Sequence, residues 1–153
     1  MDATYTVERS RTVDATPARV RALIEDFHEW PRWSPWEGLD PAMERTYGGP
    51  TLGPGATYAW SGNRKAGRGR MELLTVQDDR VEVALHFDKP FRSDNDIVFL
   101  LEPRDGGTRV TWRMTGPRSR VMRLAGPLMN MDKIVGTDFD RGLDSLALVA
   151  SQG

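Results

Sequence analysis

Three of the five tryptophans of this chain fall within residues 30–36, in the run Phe27-His28-Glu29-Trp30-Pro31-Arg32-Trp33-Ser34-Pro35-Trp36. One regular helix cannot pass through such a run, because an interior proline removes a hydrogen-bonding N–H and collides with the preceding turn. A free loop is also ruled out by the apolar area, since truncating a buried aromatic costs about 3–5 kcal/mol. The run is therefore read as a short, kinked, well-packed cover over something concave.

Periodicity on either side of it defines the rest of the architecture. Thr4 to Val13 alternates and reads as a strand, with Tyr5, Val7 and Val13 on one parity. Thr16-Pro17 opens a helix, the threonine suited to the N-cap and the proline to the first helical position. Val20, Leu23, Ile24 and Phe27 then form one apolar stripe. Met43 to Tyr47 reads as a short strand, and the glycines at 48, 49, 53 and 55 as turns. Ala56–Ser61, Arg68–Val76, Arg80–Phe87, Ser93–Glu102 and Thr108–Thr115 follow as strands with short connections, an antiparallel meander. One face carries Tyr58, Trp60, Met71, Leu73, the odd positions 81–87, Ile97, Phe99, Leu101, Val110, Trp112 and Met114. The other carries Arg68, Arg70, Glu72, Glu82, Asp94, Asp96, Thr111 and Arg113, so the sheet has one packed and one wet face. A last helix is expected from Pro127 to Ala150, with Leu128, Met131, Val135, Phe139, Gly142 and Leu146 on one stripe. Gly136 and Gly142 lower helix propensity and imply close approach to the sheet. One helix cannot fill so large a curved sheet, and a gap is expected at one end.

Composition excludes several function classes. The 153 residues fit one domain with a substantial core. A net charge of −1 argues against nucleic acid as a partner, which needs a basic footprint. The absence of cysteine removes disulfide and thiolate chemistry, and with only His28 and His86 no zinc site is expected. Met1 to Ser10 has no apolar signal core, and no run approaches the ~18 apolar residues of a membrane span. A cytoplasmic location without integral membrane association is the expectation.

The order of elements resembles the helix-grip fold, the superfamily called START-like or SRPBCC. The resemblance is carried by Val20…Asp26-Phe27…Trp30…Trp33-Ser34-Pro35-Trp36, by Gly67 to Met71, by Gly107 to Trp112 and by Gly136-Thr137-Asp138-Phe139…Gly142-Leu143. It covers nearly the whole chain, as one domain over 1–153, and is closest to polyketide cyclase/dehydrase-like members. It implies an α+β fold: about seven antiparallel strands curved around a long C-terminal helix, with two short helices after the first strand. It also implies a deep cavity between sheet and helix.

With that cavity in view, Trp33, Trp36, Tyr58, Trp60 and Met71 are candidate walls, with Phe87, Phe99, Trp112, Met114 and Met131. Aromatics and flexible methionines suit an adaptable apolar site. Asn95 is the sharpest polar candidate, on the inward parity of Ile97 and Phe99, where a buried amide must find a partner. His28, near the end of the first helix, and His86, on the wet face, show no acid–base partner. Asp94-Asn95-Asp96 lacks the spacing of a calcium loop. Asn63-Arg64-Lys65 with Arg68 and Arg70 makes a basic hairpin able to attract an anion. The leading expectation is a protein that binds a lipid-like, aromatic or polyketide-like molecule, with no cofactor. The rivals are a cyclase or dehydrase acting by substrate orientation, and a protein-binding module like the superfamily's chaperone activators. Ligand identity and oligomeric state are not legible.

Overall fold

A computed structural model describes residues 4–36, 40–64, 66–89, 92–117 and 131–152. Seven strands form, all but the largely exposed β2 on alternating apolar positions: β1 Thr4–Val13, β2 Glu44–Gly48, β3 Thr57–Ser61, β4 Arg68–Gln77, β5 Arg80–Lys89, β6 Ser93–Arg104 and β7 Gly107–Pro117. All neighbours are antiparallel, in the order β1-β7-β6-β5-β4-β3-β2. β2 to β7 form the expected meander, and β1 closes onto β7 from the far edge.

Between β1 and β2 the chain makes helix α1, Pro17–Ile24, and a short 3-10 helix, Phe27–Arg32, which contains Pro31. Thr16 caps α1 by accepting from the Arg19 N–H at 3.2 Å. The apolar stripe extended α1 to Phe27, but the helix stops at Ile24. Asp26 is the reason. It takes an extended backbone, and its carboxylate accepts from the His28 N–H at 2.9 Å, so it starts the next helix instead of continuing the last. Phe27 is still buried. His28 thus sits in the first turn of the 3-10 helix rather than at the end of α1, with its ring stacked on Tyr47.

The C-terminal helix α2 is Met131–Gln152, about 33 Å long at 1.5 Å per residue. The expected start at Pro127 and the stripe position Leu128 lie outside the described residues, as do Lys65 and the side chain of Met131. Phe139, Leu143 and Leu146 are fully buried, and α2 packs chiefly on β1 and α1. Its two glycines mark the close approaches. A methyl at Gly136 would collide with the Arg9 guanidinium, and one at Gly142 would lie 2.8 Å from the Trp112 ring. Arg9 pairs with Asp140 at 3.4 Å, and Arg11 pairs with Asp144. This is the α+β helix-grip architecture that the resemblance implies.

The wet face is charged as expected, with one refinement. Thr111 is buried there and shares a 2.9 Å hydrogen bond with Ser10 across the β1–β7 pair. β4 shifts register at Gly69 and again after Leu73, yet Glu72 stays exposed on the outer face.

Candidate functional site

The tryptophan run folds inward and anchors itself to α1. The Trp30 indole donates to the Ile24 carbonyl at 2.9 Å, and that of Trp33 to the Leu23 carbonyl at 2.8 Å. These are the carbonyls a helix end leaves unpaired, so the two indoles cap α1 while burying their rings. Trp33 meets Phe99 and Trp112 edge-on, and Trp112 stacks on Phe139 with ring centroids 4.0 Å apart. Trp36 closes the cluster edge-on to Trp112 and Phe139, its N–H on Asp138 at 3.3 Å. The Trp112 N–H is buried and has no acceptor among the described residues. Trp33, Phe99 and Trp112 are completely buried, so this half of the interior is packed solid.

The other half is buried as well but keeps slightly more surface. One transverse row crosses all seven strands: Tyr47, Tyr58, Met71, Leu85, Asn95, Gly116 and Tyr5, from β2 to β1. Tyr58 and Met71 keep 7% of their surface, Tyr5 6%, and Leu85 and Asn95 4%. In the next row, Leu73, Val83, Ile97 and Val7 keep 0–1%, with Met114 at 4% the exception. On this face the residual surface is thus largest along that row, with Met114 beside it. Trp60 and Phe87 flank that row, half-buried and edge-to-face at 5.7 Å. Gly69 leaves room for the Trp60 ring, since a methyl there would lie 2.7 Å from it.

The polar centre of the row is a pair. Asn95 faces inward as its parity required, and the Tyr5 hydroxyl donates to its Oδ1. Its Nδ2 reaches Ser93 Oγ at 3.2 Å and the Leu85 carbonyl at 3.5 Å. Gly116 makes the pair possible, because a methyl there would collide with Asn95 Oδ1 and crowd the Tyr5 ring. Burial pushes the Tyr5 phenol up to about 12, so it holds its proton at neutral pH.

His86 lies on the opposite, outer face. It bridges two carboxylates, with Nδ1 on Asp94 and Nε2 on Asp88 at 3.0 Å. The hydrogen bond to Asp94, then that to Asp88, raises its pKa above 6.5, and the imidazole lowers that of Asp88. The sign follows. The imidazole contributes most below its ordinary value and loses the contribution as pH rises through the raised one. The site is solvent-screened, so the effect is small. His86→Gln should narrow or lose its melting-temperature deficit between about pH 6 and about pH 9. An equal deficit at both would show that the bridge does not hold in solution. Beside it, a shallow outer groove of about 340 Å³ is walled by Glu44, Arg68, Arg70 and Asp88. Those charges make it a poor seat for an apolar molecule.

The predicted set thus separates. Tyr58, Trp60, Met71, Phe87, Asn95 and Met114 gather at the open end. Trp33, Phe99 and Trp112, with Trp36 at its edge, form the packed end. Tyr5 was missed as a site residue, although its inward parity was visible in the sequence. Among the described residues no cluster of His, Asp and Glu is arranged to hold a metal ion, and no helix is long and apolar enough to cross a membrane.

A family model described as polyketide cyclase / dehydrase and lipid transport matches residues 4–151. No curated protein matches the chain. A solved protein from Thermobifida fusca is similar at 24% identity and a TM-score of 0.69, covering 96% of this chain and 93% of its own. Protein Mll3558 from Rhizobium loti gives 22% and 0.66, with 97% and 98% covered. Ara h 8.0201 gives 14% and 0.64, with 99% and 100% covered. At these identities the likeness to solved structures speaks to fold alone.

Proposed function

The chain belongs to the polyketide cyclase/dehydrase and lipid transport family, and from that premise we propose that it is a small-molecule-binding protein. In this reading it is one domain over 1–153, acts in the cytoplasm, and holds a lipid-like, aromatic or polyketide-like ligand between the sheet and α2. The observation that carries the reading is the transverse row. Most other core residues on that face keep 0–1% of their surface, whereas Tyr58, Met71, Leu85, Asn95 and Tyr5, with Met114 in the next row, keep 4–7%. Apolar walls around a few convergent polar groups are the usual composition of a ligand pocket.

Binding is favoured over cyclase or dehydrase chemistry by what that row offers. Along it stand two phenols besides Tyr5, one amide and apolar side chains, with no carboxylate or imidazole. Proton transfer at neutral pH needs a group that titrates near it, and Tyr5 does not. An enzyme built here would act by holding its substrate in a reactive shape.

Nile red, a neutral dye whose emission reports an apolar environment, tests the reading. It should bind saturably at one site per chain. Trp60→Ala should weaken binding by roughly tenfold, about 1.4 kcal/mol, while the variant still melts cooperatively. Trp60 is suited to this because it is half-buried at the open end, its N–H on the Ala66 carbonyl at 2.8 Å. Non-saturable binding to the native protein would overturn the reading.

A further inference from the structure

We propose that Tyr5 and Asn95 together present a hydrogen-bond acceptor to the ligand, so that the site selects a neutral molecule bearing a hydroxyl group over its carbonyl counterpart. The inference rests on the cavity reading above and specifies what its polar end recognises. It follows from proton bookkeeping within the pair. Asn95 Oδ1 is an oxygen and can only accept, so the contact with Tyr5 uses the one phenolic proton. The amide orientation is fixed independently. Nδ2 faces the Leu85 carbonyl, which is itself an acceptor and requires N–H on that side. The other proton of Nδ2 is directed to Ser93 Oγ at 3.2 Å. With these donors engaged, what the pair itself retains is acceptor capacity, chiefly the phenolic oxygen with its lone pairs, while the neighbouring Ser93 hydroxyl, which accepts from Nδ2, keeps its own proton. Tyr5 and Asn95 keep 6% and 4% of their surface.

A molecule meeting that oxygen must supply a proton of its own. A hydroxyl can do so, whereas a ketone would place oxygen against oxygen. The neighbourhood also argues against a charged ligand. The row contributes no cation to neutralise an anion, and the buried phenol stays protonated. The basic side chains on the inward parity of β1, Arg9 and Arg11, are engaged by Asp140 and Asp144 of α2.

A matched pair of probes tests this: naphthylethanol and acetonaphthone, the alcohol and ketone of one carbon skeleton. Native protein should bind the alcohol about threefold to tenfold more tightly, the range expected of one net hydrogen bond. Asn95→Leu removes the acceptor that holds the phenolic proton and frees Tyr5 to donate. The alcohol preference should then be lost, because the freed phenol can donate to the oxygen of either probe. Equal affinities in the native protein, or a native preference for the ketone, would overturn the inference and leave the cavity standing. So would an unchanged alcohol preference in an Asn95→Leu variant that still melts cooperatively. If neither probe binds saturably, it is the cavity reading that fails. Should Asn95→Leu not fold, the native comparison decides alone.

Discussion

Trp33→Ala should cost the protein about 3–5 kcal/mol, the range for truncating a large buried aromatic. Trp33 is buried completely, caps α1 through the Leu23 carbonyl, and meets both Phe99 and Trp112 edge-on. The loss therefore combines three parts. A cavity opens where the surroundings cannot collapse, a carbonyl at the end of α1 is left without its donor, and two aromatic contacts disappear. For a domain of this size, each kcal/mol lowers the melting temperature by roughly 2–4 °C, so a fall of about 6–20 °C is expected. Against a net stability of ~5–15 kcal/mol, this is enough to bring the fold near its limit. Thermal and urea melts of Trp33→Ala beside Trp60→Ala make the comparison. Should Trp33→Ala lose no more stability than Trp60→Ala, the division into a packed and an open end is wrong.

That division shows what was legible in the sequence. Period-two alternation located β1 and β3 to β7, because each has one face against the core and one in water, whereas β2 is largely exposed on both faces. The glycines of α2 were legible as close approaches, and Gly136 and Gly142 lie against Arg9 and the Trp112 ring. The end of α1 was not. The stripe through Phe27 continues in helical register, and only the local competition of the Asp26 carboxylate for the His28 N–H ends the helix. Parity placed Phe99 and Trp112 on the same face as Tyr58, Met71 and Asn95, but parity is blind to depth along a strand. Depth depends on where α1, the 3-10 helix and α2 come to rest. Among the described residues, those elements cover the Phe99–Trp112 end. His86 shows the same limit on the outer face. Its partner Asp94 comes from the adjacent strand, and the β5–β6 register alone places the two opposite each other.

The Tyr5–Asn95 pair was out of reach for a related reason, and the coupling between its members should be measurable as stability. The residues are 90 positions apart, brought together only when β1 closes onto the far side of the meander beside β7. Tyr5→Phe removes the donor and leaves Asn95 Oδ1 buried without a partner. Asn95→Leu removes the acceptor and leaves the phenolic hydroxyl in the same position. Each should cost about 1–3 kcal/mol, the penalty for an unsatisfied buried polar group. The double variant leaves neither group orphaned, because both partners become apolar. Its loss should therefore fall short of the sum of the single losses by about 0.5–3 kcal/mol, the range found for residues in direct contact. Urea unfolding of the four proteins completes the cycle. Strict additivity would mean that the hydroxyl and the amide do not depend on each other in solution. Binding then separates a structural pair from one that also serves a ligand. If the pair only ties β1 to the sheet, all four proteins should take up naphthylethanol equally. If it also faces the ligand, the single variants should change affinity by more than their stability loss explains, since each stays folded under the binding conditions. An effect on turnover larger than that on binding, once a substrate is known, would be the mark of a contact made chiefly in the transition state, and so of an enzyme rather than a carrier.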